Sequence, residues 1–221
     1  ASSRGTRRLG SIVTLRRPAR GVDRELDGRG RPGRRAVARA SSWRYHEHMA
    51  DYQRISHGFE PVFDELSRVL VLGSFPSVLS RENRFYYGNP RNRFWTVVAA
   101  VLGAHVPPNE PIDASIVAKT ALLHAGGIAL WDVVASCDIK GSSDASIRNV
   151  RANSIGRVLS AAPIEAVFAN GRAAERLYRT WVEPATGMPI TGLPSTSPAN
   201  AAWRTDRLVA EWAHALAPYL D

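Results

Sequence analysis

The chain has one cysteine and two lysines in 221 residues, and nowhere do eighteen apolar residues run together. A single cysteine, Cys137, excludes a disulfide framework and, because four thiolates are needed, a four-cysteine iron–sulfur cluster. That usage fits a reducing, cytoplasmic setting. No stretch has the length and apolarity of a helical membrane span. The two lysines, Lys119 in a predicted helix and Lys140 in a loop, argue against an amine nucleophile. No Gly-x-Ser-x-Gly elbow is present, which argues against a serine hydrolase. His-x-Glu and Pro-Cys-x-x-Cys are missing too, and His57, His105, His124 and His214 are scattered, so a zinc deaminase is not indicated.

The net charge of +9 suggests a nucleic-acid partner until it is located. Residues 1–48 hold thirteen arginines against four acids, whereas residues 49–221 hold sixteen of each sign. DNA affinity in the second part must therefore come from a local basic patch. Residues 1–48 are rich in Arg, Gly and Ser, a composition that cannot offset chain entropy and is expected to stay disordered. Three readings of this segment stay open: a start codon assigned upstream of Met49, an Arg-rich targeting segment, or a DNA-tethering arm. Residues 49–221 are expected to form one domain, and a monomer.

From residue 60 onward, strand and helix patterns alternate. Short apolar runs bounded by Gly, Pro or Asn predict strands at 69–73, 127–132, 164–169 and 188–193. Apolar residues at helical spacing predict helices at about 91–102, 115–125, 144–161 (with Gly156 as a candidate break), 172–183 and 203–217. Alternation of this kind implies an α/β fold with a parallel sheet covered on both faces. Each polar cluster follows a strand: 73–95, 132–143, 170–171 and 194–200. In an open parallel sheet these lie together at the carboxyl edge, where such folds bind ligands.

The segment Gly73–Trp95 carries the most information. It is a long strand-to-helix connection crowded with aromatics, asparagines and arginines, suited to stacking on a base, reading its edge and holding phosphates. Four segments together, Gly73-Ser-Phe-Pro-Ser77, Phe85-Tyr-Tyr-Gly-Asn-Pro-Arg-Asn-Arg-Phe-Trp95, Gly127-Ile-Ala-Leu-Trp-Asp132 and Leu193-Pro-Ser-Thr-Ser-Pro-Ala-Asn200, resemble the uracil-DNA glycosylase superfamily. Within it they look most like the hypoxanthine-DNA (deoxyinosine) glycosylase branch. The resemblance implies a three-layer α/β/α domain with a four-stranded parallel sheet, base excision repair of double-stranded DNA carrying deaminated bases, and no cofactor or metal.

It also implies site residues. The base is expected among Ser74, Phe75, Pro76, Tyr87, Trp131, Asp132 and Asn170, with Tyr87 at the stacking position and Tyr86 packed inward. Phe75 stands where relatives carry the asparagine that positions water. A phenyl ring cannot do so, which leaves Asn89 and Asn92 as candidates. Each has a simpler reading, Asn89 as a helix cap before Pro90 and Asn92 as a first-turn polar residue. Asp132 replaces a base-reading asparagine. An ionised carboxylate only accepts hydrogen bonds, and hypoxanthine offers an N1–H where adenine has an acceptor. Asp132 as a cap or an arginine's partner is the alternative. DNA contacts are expected from Ser77, Arg91, Lys140, Ser195, Ser197 and Asn200, while Leu193 stands where many relatives have histidine. The same fold acting on uracil or xanthine, or binding damaged DNA without catalysis, also fits the sequence.

Overall fold

The computed structural model describes residues 52–220; the expectations for residues 1–48 lie outside them. Seven strands and seven helices are β1 (Gln53–Ser56), β2 (Val69–Gly73), α1 (Val78–Glu82), α2 (Phe94–Val101), α3 (Ile112–Ala125), β3 (Ile128–Asp132), β4 (Val134–Ile139), β5 (Arg148–Ala152), α4 (Gly156–Ala161), β6 (Ala166–Asn170), α5 (Arg172–Trp181), α6 (Glu183–Thr186), β7 (Ile190–Leu193) and α7 (Thr205–Leu216). Four form the expected parallel sheet, in the order β3-β2-β6-β7. Val69, Leu70, Val71 and Leu72 in β2 have no exposed surface, as required of a central parallel strand covered on both faces. Around the sheet, α3 packs on β3, α5 packs on β6 and β7, and α2 packs on α7, completing an α/β/α arrangement. The outer edge of β3 is closed by Val62, which exchanges both backbone hydrogen bonds with Leu130.

Two expectations need correction. The helix predicted over 144–161 is a single 3₁₀ turn at Asp144–Ser146, then β5, then the short α4. Asn149 adopts a left-handed backbone, φ 52°, inside that stretch, and β5 pairs antiparallel with β4. Neither is compatible with a continuous helix, so tertiary pairing overrides local propensity here. The polar segment predicted as a loop after the second strand is β4, which with β1 and β5 makes a second, antiparallel sheet in the order β1-β4-β5. This small sheet matters for the site. Ser56 pairs with Ser136, and the His57 amide donates to the Ala135 carbonyl at 2.8 Å, so residue 57 is delivered beside the end of β3.

Trp212 of α7 links core to loop. It is fully buried, meets Phe94 edge-on with centroids 5.9 Å apart, and its indole N–H donates to the Pro194 carbonyl at 3.0 Å. Replacing Trp212 with Ala removes both contacts. A loss of ~3–5 kcal/mol in urea unfolding is the expected result, and a loss under about 1 kcal/mol would contradict this account of the core.

Candidate active site

The ends of β2, β3, β6 and β7 open onto one cavity of about 190 Å³, lined among others by Ser74, Phe75, Tyr87, Asn89, Asn92, Asp132, Asn170, Ser195 and Ser197. The carboxyl edge of the sheet thus brings together ten of the fifteen residues expected to act there, Ser77 among them. Its geometry begins at Gly73. A Cβ at that position would lie 2.1 Å from Asp132 Oδ1 and 3.1 Å from the Tyr87 hydroxyl, so only glycine lets the carboxylate and the phenol converge on this spot.

Asp132 is paired with histidine rather than with arginine or a loop amide. Its Oδ2 lies 2.8 Å from His57 Nε2, and both side chains are almost completely buried, 4% exposed for His57 and 6% for Asp132. His57 Nδ1 faces the Phe59 carbonyl at 3.0 Å. A carbonyl cannot donate, so Nδ1 carries a proton. A second proton must then sit between Nε2 and Oδ2. The pair is either imidazolium with carboxylate or neutral imidazole with carboxylic acid, and its net charge is zero in both. Asp132 Oδ1 remains an acceptor in either case, without a partner among the described residues.

Tyr86 and Tyr87 part ways. Tyr86 is buried and donates its hydroxyl to the Glu60 carbonyl at 2.8 Å. Tyr87 lines the cavity, stacks on Phe94 at 4.0 Å, and adopts a left-handed backbone with φ 50°. That conformation is costly for a tyrosine and is held by its surroundings. Burial, and secondarily the nearby Asp132 carboxylate, holds the Tyr87 phenol well above its usual range, so it stays protonated.

A chain of side-chain hydrogen bonds connects the loops. Thr196, fully buried, donates its hydroxyl to Asn92 Oδ1 and accepts from Asn170 Nδ2, both at 2.9 Å, while its amide donates to Asn170 Oδ1 at 2.9 Å. The other Asn170 N–H reaches the Tyr87 hydroxyl at 2.9 Å. Asn92 Oδ1 also accepts from the Phe94 amide at 3.0 Å and so caps α2. Both lone pairs of that oxygen are used. Asn89, for which a helix cap was the simpler alternative to positioning water, instead makes a tighter local turn, accepting from the Arg91 amide at 3.0 Å, because α2 begins at Phe94 rather than near residue 91. Asn89 lines the cavity, and its Oδ1 has no second hydrogen-bond donor among the described residues.

Five expected residues do not line the cavity. Trp131 does not line the cavity: with Asp132 turned inward, strand alternation turns Trp131 away, beneath the Arg157 guanidinium at 5.9 Å. Pro76 is buried behind the loop, its carbonyl accepting from Arg81 at 2.7 Å. The Asn200 amide is tied to the Ser195 carbonyl at 2.8 Å, and Lys140 lies over the Tyr52 ring at 4.8 Å. Arg91 is exposed and does not line the cavity. Ser77 lines the cavity but also caps α1 by accepting from the Ser80 amide at 3.2 Å.

Sequence reasoning missed four residues. His57 lies far from every motif, and only the pairing of β1 with β4 carries it to Asp132. Thr196 stands inside a recognised loop but among residues expected to face DNA. Arg93 looked suited to phosphate, yet it clamps that loop by donating to the carbonyls of Ser197 at 2.9 Å and Asn200 at 3.1 Å, and to that of Trp203. Asp144 lines the cavity and accepts from the Ser74 hydroxyl at 2.7 Å. Loss of solvation in the cleft raises its carboxyl above the usual range, against that hydrogen bond, which favours the ionised form.

Fold and cavity define an α/β protein whose candidate ligand site lies at the carboxyl edge of a parallel sheet. The chain belongs to the uracil DNA glycosylase superfamily, whose model matches residues 60–217. It is similar to a hypoxanthine DNA glycosylase of Methanosarcina acetivorans, 33% identical over 162 residues, covering 72% of this chain and 96% of the relative. A hypoxanthine DNA glycosylase of Methanosarcina barkeri is 30% identical over 116 residues, covering 52% of this chain and 70% of the relative. Among solved structures, an NMR structure from Methanosarcina acetivorans, described provisionally as a uracil DNA glycosylase, superposes with a TM-score of 0.60 at 31% identity, covering 73% of this chain and 96% of its own.

Removing the Thr196 hydroxyl with Thr196→Val strands an Asn170 N–H inside the protein and takes a donor from Asn92. Each unsatisfied buried group costs ~1–3 kcal/mol. Urea unfolding is expected to show a loss of that size, and an unchanged midpoint would mean that the loops are not held by this chain of bonds.

Proposed function

We propose that this protein is a monofunctional DNA glycosylase that extrudes a deaminated base from double-stranded DNA and hydrolyses its N-glycosidic bond, with hypoxanthine in deoxyinosine as the principal lesion. The observation that carries the reading is Asp132 Oδ1, an open acceptor on the cavity wall. Deamination converts an adenine ring nitrogen from acceptor to N–H donor, so an acceptor-only oxygen admits hypoxanthine and rejects adenine. The names of the two Methanosarcina relatives favour hypoxanthine among deaminated bases.

The remaining parts fall into place around that contact. Flipping costs a few kcal/mol, least at a mismatched pair, which contributes selectivity. In this reading Tyr87 and Phe75, both on the cavity wall, offer rings to the extruded base, and the backbone amides near Ser74 and Phe75 stabilise the negative charge that develops on it. Asn89, with one lone pair open, is the better placed of the two asparagines to orient water; Asn92 is committed to its cap. Neither lysine lines the cavity: Lys119 donates to Asn109 at 3.1 Å and Lys140 lies over Tyr52. Hydrolysis without a Schiff base follows. Beside the cavity, a groove of about 660 Å³ is lined by Arg172, Arg176 and Arg179 together with Asp144 and Glu175, the last paired with Arg179, which leaves Arg172 and Arg176 to meet backbone phosphates. The protein acts as a monomer, in the cytoplasm.

Duplexes carrying inosine, uracil or xanthine, treated with the protein and then with alkali, test this directly. Inosine strands are expected to break fastest. Asp132→Ala removes the acceptor and should slow hypoxanthine release by ~10–200-fold, the equivalent of one good base-edge contact. Tight binding to inosine duplexes with no base release would instead identify a damage-binding module.

A further inference from the structure

The pair formed by His57 and Asp132 has a consequence that the superfamily's motifs do not contain, since His57 lies outside all of them. A carboxylate bonded to the lesion creates a difficulty for the reaction. When the C1′–N bond breaks, its electron pair stays on the base, while the oxygen of water bonds to C1′ and the water's proton is released to the base or solvent. A bare carboxylate touching that base would oppose the charge arriving on it. The opposition would be strong here, because the pair sits among Phe59, Phe75 and Tyr86 and is almost closed to water.

We infer that His57 is a positioning residue for base release: by holding one shared proton with Asp132 it keeps the wall of the cavity neutral, so that Asp132 Oδ1 accepts from the lesion without repelling the departing base. This rests on the glycosylase reading above. Its geometric support is the donor count, since the Phe59 carbonyl claims one proton on Nδ1 and the 2.8 Å contact between Nε2 and Oδ2 requires another. The other ionisable groups facing Asp132 cannot substitute. Tyr86 and Tyr87 are neutral phenols, and Asp144 is itself acidic. Arg81 is turned to the Pro76 carbonyl and to the Phe75 ring. His57 is the one basic side chain in hydrogen-bond contact with Asp132 among the described residues.

The test compares three variants of the full chain. H57Q leaves Asp132 a bare anion, whereas D132N and H57Q/D132N leave neutral pairs. Single-turnover release from an inosine duplex is expected to fall a hundredfold or more in H57Q, while the Kd for a duplex carrying non-cleavable 2′-fluoro-deoxyinosine moves less than tenfold. D132N and H57Q/D132N should both outrun H57Q by at least tenfold. A merely structural role cannot give that pattern, because removing the second partner would not restore chemistry. H57Q within threefold of wild type, or a double variant no faster than H57Q, overturns the inference. Should H57Q not fold, NMR of ¹⁵N-labelled wild type decides: a proton on His57 Nδ1 and a second, strongly deshielded proton in the bond between Nε2 and Asp132 are expected, and the absence of either overturns the shared proton. If the wild type released no base, the glycosylase reading would fall and this inference with it. An active wild type beside an equally active H57Q removes this inference alone.

Discussion

The hydroxyl of Thr196, buried with no exposed surface, is the point at which the site is assembled. Its bonds to Asn92 and Asn170 tie the loop after β7 to the loops after β2 and β6, and through Asn170 to the Tyr87 hydroxyl. Three segments distant in sequence meet in one chain of donors and acceptors, each filling the need of the next. In a buried setting such a chain holds its members rigidly, because any break leaves an unpaired polar group. The strained backbone of Tyr87 depends on this support. So does the close approach at Gly171, where a Cβ would stand 2.8 Å from that of Ser195.

The fourth strand end is held differently. Asp132 is fixed by His57, which arrives from the antiparallel sheet rather than from the parallel one. That sheet gives the site a charge balance that a parallel sheet edge alone would lack. It also changes the meaning of the acidic residue. Alone, a buried carboxylate would repel the charge that builds on a leaving base; shared with His57, it presents an acceptor at no net charge.

How much of this was legible in the sequence follows from the distance over which each feature is determined. The parallel strands were legible because Val69–Leu72 and their counterparts are continuous apolar runs between turn residues, a signal complete within a few positions. The carboxyl-edge cluster was legible because strand-helix alternation fixes which loops share an edge. The antiparallel sheet was not, since Gln53–Ser56 and Arg148–Ala152 are mostly exposed and polar, and their order comes from pairing with β4. His57 was hidden for the same reason. Trp131 was misplaced by reading a motif without its pleat, and the capping alternative for Asn89 came from starting α2 three residues too early. Asn92, Asn170 and Thr196 were visible as residue types; that their polar atoms satisfy one another could be seen only in three dimensions.

The central claim, that the cavity at the strand ends receives an extruded deaminated base against Asp132, is tested most directly by a crystal structure of the protein with a duplex containing 2′-fluoro-deoxyinosine. The account predicts the hypoxanthine ring inside the cavity beside Tyr87 and Phe75, with its N1 at hydrogen-bond distance, roughly 2.7–3.2 Å, from Asp132 Oδ1. A base still stacked in the duplex, or one seated with N1 turned away from Asp132, would contradict it.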